Sequence, residues 1–185
     1  MLKLLHLWSL LLPLLIAVHN ASSSSSISHH HTHDRMKSLH FSLFQQETIN
    51  KTAFIVVDGV KGANVSQTTT PFGTIYVFRD NMTVSSDVSS RVAGVCEGGS
   101  ITSSFDGLRS MSLAKITLKV KGLRGSVSIL GGTHNTKPAD HPVVGGTGDF
   151  MFAQGYVTSS PVELQGMSVV YKIEFHIYWP PYAAK

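Results

Sequence analysis

An all-β domain, built as an antiparallel sandwich or a closed barrel, is the fold class that this sequence predicts. Three observations carry the prediction. Apolar residues recur with a period of two in several short segments, turn-forming residues separate those segments, and no stretch shows a capped 3.6-residue period. Such a chain has to bury the apolar faces of its strands against one another.

The strands follow in order. Candidates run over 39–47, 52–58, 73–79 and 91–98. "MSLAKITLKV" then sets Ala114, Ile116, Leu118 and Val120 on one face, with Lys115, Thr117 and Lys119 on the other. "KGLRG" turns the chain and "SVSILGG" alternates again, which makes a hairpin. A further strand is expected over 149–158. "YKIEFHIYW" closes the series, with Tyr171, Ile173, Phe175, Ile177 and Trp179 against Lys172, Glu174, His176 and Tyr178. Seven or eight strands in about 145 residues suit a barrel or sandwich, and an eight-stranded barrel has room for one small ligand.

The N-terminal segment has a different character. Lys3 precedes an apolar run from Leu7 to Val18, and small residues follow it. This is the layout of a secretory signal peptide, taken as residues 1–21 with cleavage between His19 and Ser23. The run is too short to span a bilayer, so a product secreted to the extracellular space is expected. Residues 22–38 hold five consecutive serines and four histidines within five residues, which is the composition of a flexible tail. The domain proper is read as 39–185.

Composition excludes several functions. Only 14% of the 185 residues are charged, and the net charge of +4 is too small to argue for nucleic acid. Cys96 is the only cysteine, so the fold rests on its core, where a lone thiol is expected to lie. No metal-ligand spacing occurs, and no metal is expected. Sequons stand at Asn20, Asn50, Asn64 and Asn81, and the last three are expected to carry surface glycans.

"HPVVGGTGDFMFAQGY", residues 141–156, holds four glycines and one carboxylate. A phosphate cradle would need a following helix, or a Lys-Ser/Thr pair, and neither is present. Asp149 would also repel a phosphate. The glycines at 145, 146 and 148 are read as positive-φ positions in a tight connection between strands. Asp80, within "RDNMT", reads as a turn-stabilising side chain.

Several ordered segments carry a resemblance. "FGTIYVFRDNMT", "SSRVAGVCEG", "LRGSVSILGG" and "VVGGTGDFMFAQGY" are similar, in that order, to motifs of the plant dirigent family. The resemblance spans about Leu39 to Tyr178. It implies an eight-stranded antiparallel barrel like allene oxide cyclase, a pocket in each barrel, a homotrimer, and a secreted glycoprotein without a cofactor. Members that guide lignan formation hold phenolic radicals, made by a separate oxidase, for stereoselective coupling.

The chain departs from that radical-guiding pattern. Gln46 and Glu47 stand where the first strand usually carries His-Asp, "GGSITSS" replaces a tyrosine-bearing segment, and Gln154 takes the place of an arginine. "FSLFQQETINKT", "VSQTTTPFGT", "VTSSPVEL" and "IEFHIYWPPY" resemble instead the legume branch that acts as pterocarpan synthase. That branch dehydrates a 2′-hydroxyisoflavan-4-ol and closes an ether ring through a quinone methide, as a carbon–oxygen lyase of phytoalexin biosynthesis. The likeness implies Asp149 as general acid and Glu47 as a second carboxyl. Gln154, Tyr76, Arg79 and His141 are the candidates for binding the isoflavanol. Strict alternation sets Gln154 opposite to Asp149, so the two share a pocket only through a bulge or a turn.

Overall fold

The computed structural model describes residues 36–183. The signal-peptide segment, Asn20 and all but the last three residues of the Ser/His segment lie outside them.

Nine strands run in chain order: β1 (Lys37–Thr48), β2 (Ala53–Val57), β3 (Ile75–Thr83), β4 (Val92–Thr102), β5 (Arg109–Val120), β6 (Leu123–His134), β7 (Ala139–Gly148), β8 (Gln154–Gln165) and β9 (Ser168–Trp179). A three-residue 3-10 turn, Pro181–Ala183, follows. No α-helix occurs among the described residues. Neighbours are antiparallel throughout, in the order β1-β9-β8-β7-β6-β5-β4-β3, and β3 pairs back onto β1. Eight strands therefore close into a barrel, and β2 lies alongside β3 as an extra short strand.

Alternation on the strands decides what fills the interior. Ala114, Ile116, Leu118 and Val120 of β5 are buried, while Lys115, Thr117 and Lys119 are exposed, as the sequence predicts. β9 behaves likewise, with Ile173, Phe175, Ile177 and Trp179 all at 3% exposure or less. Toward one end Leu118, Val127, Phe150, Phe175, Ile177 and Trp179 pack into a plug, and the Phe150 and Trp179 rings lie 6.1 Å apart. Each such ring or branched side chain contributes about 1.5–3 kcal/mol by leaving water. Cys96 is a buried thiol of the same core.

The ladder around the ring is uneven. β1 and β9 share twelve residue pairs, whereas β1 and β3 share three: Phe44 with Thr83, Gln45 with Met82, and Gln46 with Asn81. Side chains reinforce this short seam. Gln46 Nε2 donates to Thr83 Oγ1 at 2.9 Å, and Gln45 Nε2 donates to Asp80 Oδ2 at 2.6 Å.

The structure corrects five sequence expectations. β7 was not foreseen, because its "PVVGGTG" looks like a turn; it pairs with β6 through Gly145, Gly146 and Gly148. Only Gly148 of these has positive φ, at 60°. Gly146 is required for a different reason, since a Cβ there would run into the Phe150 carbonyl. The strand expected over 149–158 begins only at Gln154, after a turn in which Phe152 has φ 62°. Asp80 sits inside β3, not in a turn, and β1 already starts at Lys37, within the segment read as tail.

Candidate functional site

At the end away from the plug, the inward residues become polar and line a pocket. β1 supplies Gln45 and Glu47, β3 supplies Tyr76 and Phe78, and β9 supplies Tyr171 and Ile173. Period two explains the set, since Leu43, Gln45 and Glu47 point inward as successive alternate residues of β1. The loop at Ser66–Thr70 forms part of the rim. It is tied from two sides, by Asn135 Nδ2 to the Thr68 carbonyl at 2.7 Å and by Gln67 Nε2 to the Gly166 carbonyl at 2.6 Å.

Two carboxyls dominate this wall. Glu47 opens onto the pocket but is otherwise enclosed, and burial pushes its pKa up to about 8, with the nearby Asp80 adding to the rise. Asp80 is fully buried beneath the wall. Burial raises it to about 6, held back by the Thr52 hydroxyl and the Gln45 amide. The Thr52 hydroxyl lies close enough to favour the Asp80 charge, but its hydrogen bonds go to the Thr48 backbone, and Asp80 Oδ1 has no hydrogen-bond partner among the described residues. Burial thus favours a proton on the pair at neutral pH, with the stronger rise at Glu47. Burial also lifts Tyr76 and Tyr171, and the Glu47 carboxyl adds to both shifts, so both phenols stay neutral. Burial raises the Cys96 thiol in the same way, so it is no nucleophile at neutral pH.

The opposite wall is a ladder of hydroxyls. Thr133 Oγ1 donates to Ser112 Oγ at 2.7 Å and pairs with His141 Nε2 at 2.9 Å. His141 is 3% exposed, and burial lowers its pKa, so its ring is neutral.

The sequence-derived candidates divide. Glu47, Tyr76 and His141 line the pocket. Asp149 does not: it is exposed in the β7–β8 turn, where Oδ2 accepts the Arg124 N–H at 2.7 Å and its own N–H donates to the Arg124 carbonyl at 2.9 Å. Gln154 is exposed on β8 opposite Tyr178, so it shares no pocket with Asp149. Arg79 points outward and pairs with Glu97 at 3.2 Å. The reason is local in each case: the turn at 149–153 caps a hairpin, and Val77, Arg79 and Asn81 of β3 face solvent. The sequence reading missed Asp80, Tyr171, Gln45, Ser112 and Thr133; continuing the inward series Tyr76, Phe78, Asp80, Met82 would have found the first. Asn50 is exposed in the turn after β1, Asn64 in a loop, and Asn81 on the outer face of β3.

The chain is a closed eight-stranded barrel, plugged at one end and open at the other into a pocket that has Glu47 on its wall and Asp80 buried behind it. A family model described as dirigent-like protein matches residues 38–179, and the chain belongs to the dirigent family. "Dirigent protein 1" of Arabidopsis thaliana is 27% identical over 124 residues, covering 64% of this chain and 67% of that protein. Among solved structures, the pterocarpan synthase dirigent protein GePTS1 superposes with a TM-score of 0.68 at 19% identity, over 78% of this chain and 92% of that one. The pterocarpan synthase dirigent protein PsPTS1 gives 0.67 at 18% identity, over 77% and 95%. At such identities the likeness is one of fold.

Proposed function

We propose that this chain is a pterocarpan synthase, a carbon–oxygen lyase that dehydrates a 2′-hydroxyisoflavan-4-ol and closes the ether ring without a cofactor. The observation that carries this reading is the enclosed carboxyl of Glu47 on the wall of a barrel pocket, where burial favours its protonated form at neutral pH. Glu47 gives its proton to the C4 oxygen, and the C4–O bond breaks to release water. The phenol para to that carbon feeds electrons into the ring and yields its proton to solvent, forming the quinone methide. The 2′-hydroxyl then attacks C4, its proton returns to the Glu47 carboxylate, and the phenol regains its own. The barrel orients the one molecule and keeps bulk water from the intermediate. Tyr76 and Tyr171, neutral beside Glu47, hydrogen-bond the substrate oxygens there.

The same reading makes the chain a secreted apoplastic glycoprotein of phytoalexin biosynthesis. It also makes it a homotrimer, a state supported by exposed apolar residues clustered through the register of the outer barrel face: Val77, Ile101, Met111, Leu113 and Leu130.

Purified protein mixed with a cis or trans 2′-hydroxyisoflavanol should form pterocarpan faster than buffer, with no NADPH, metal or oxidase added. No acceleration with any stereoisomer overturns the lyase. Product only after adding an oxidase would make the chain a guide for radical coupling instead.

A further inference from the structure

The acid pair occupies one side of the pocket, and the wall facing it is built with equal care. Around the barrel, β6 stands opposite β1, four strands away in either direction, through β9, β8 and β7 or through β3, β4 and β5. Thr133 on β6 therefore faces the strand that carries Glu47, with Ser112 on β5 and His141 on β7 at its flanks.

These three side chains form one directed chain of hydrogen bonds. The single hydroxyl proton of Thr133 goes to Ser112, so both bonds form together in the tautomer in which His141 Nε2–H donates to Thr133 and the buried Nδ1, which has no partner, carries no proton. The Ser112 oxygen is thereby occupied as an acceptor, and its own proton has no acceptor among the described residues. Ser112 lines the pocket, so that proton is directed to whatever enters. Each donor in such a chain polarises the next, which makes the terminal hydroxyl a better donor than an isolated serine.

We propose that Ser112, backed by Thr133 and His141, is a second anchor that donates to an oxygen at the far end of the ligand, across the barrel from Glu47. The ligand class is a flat aryl compound with oxygens at both ends, one at the carbon that reacts and one phenolic. The anchor rests on the function proposed above in one respect: in an isoflavanol the far oxygen is the phenol para to the reacting carbon. Ser112 thus sets which phenols are accepted and how they lie, and takes no part in proton transfer at C4.

The test is a cycle between protein and ligand. Isoflavans without the C4 hydroxyl, which cannot be turned over, bearing and lacking that phenol, are titrated calorimetrically into wild type, Ser112→Ala, Ser112→Thr and Thr133→Val. One hydrogen bond of this kind is worth up to about tenfold in affinity. Wild type should favour the phenol-bearing compound by about that factor, Ser112→Ala and Thr133→Val should reduce the preference below about twofold, and Ser112→Thr should restore it. In turnover, Ser112→Ala should raise KM about tenfold and change kcat less than about threefold. A preference unchanged in Ser112→Ala, with all variants folded, overturns the anchor. A preference that Ser112→Ala abolishes, in a protein that turns over no isoflavanol, keeps the anchor and removes the lyase.

Discussion

Replacing Glu47 by Gln removes one proton and keeps the shape of the side chain, so it isolates the acid. The size of the effect follows from the burial of that carboxyl. With a pKa of about 8, protonated Glu47 outnumbers its anion about ten to one at pH 7. A carboxyl at its ordinary 4.5 would be protonated in about one molecule in 300, so burial multiplies the working form nearly 300-fold. General acids contribute about 10²–10⁴ in rate, and Glu47→Gln should lower kcat by about 10²–10³. The assay is initial pterocarpan formation, measured from pH 5 to pH 10. Wild type should hold its rate through neutrality and lose about tenfold per unit above pH 8, as Glu47 ionises. Because the Asp80 charge helps to keep Glu47 high, Asp80→Asn should move that alkaline limb to lower pH. The reasoning fails if Glu47→Gln keeps more than about a third of the rate, or if the limb stays in place in Asp80→Asn.

Three further outcomes are expected. Glu47 and Asp80 both have folded pKa values raised above their unfolded ones, so the stability they contribute is complete at low pH and is lost as pH climbs through about 6 and then about 8. Tm should therefore fall between pH 5 and pH 9 in wild type and fall less in Glu47→Gln; equal slopes by calorimetry refute this. Asp149→Asn should leave turnover unchanged while costing about 0.5–1.5 kcal/mol in urea unfolding, because the side chain clasps Arg124 in a turn away from the pocket. Phe150→Ala should cost about 3–5 kcal/mol through the cavity left in the barrel plug, and a loss under about 1 kcal/mol would mean that the plug repacks.

How much of this was legible in the sequence differs from strand to strand. β5 and β9 announce themselves because polar and apolar residues alternate from Ala114 to Val120 and from Tyr171 to Trp179. β7 is hidden, since Pro142 and three glycines carry no side-chain period and partner strands alone hold them extended. Asp149 misled for a related reason: sequence distance to Phe150 is one residue, yet Phe150 enters the plug while Asp149 stays in solvent. Glu47 was reachable through its position in the first strand, although its acidity depends on Asp80, 33 positions later in the chain and adjacent only once the barrel closes. Ser112 and Thr133 were invisible as a site, because serine and threonine in a strand show nothing until register sets them on a diagonal of neighbouring strands, within hydrogen-bond reach.

The three-pair seam between β1 and β3 has a consequence for the acid on the pocket wall. Gln45 bridges the seam to Asp80, and Glu47 lies one inward position beyond Gln45, so the joint that shuts the ring also builds the acid. If the seam parts, water reaches Glu47, its pKa falls back toward 4.5, and the protonated form disappears at neutral pH. The rest of the sheet, held by its longer ladders, can persist in that state. Under the proposed lyase function, turnover is thereby conditional on ring closure, and a damaged or half-folded copy is silent before it unravels.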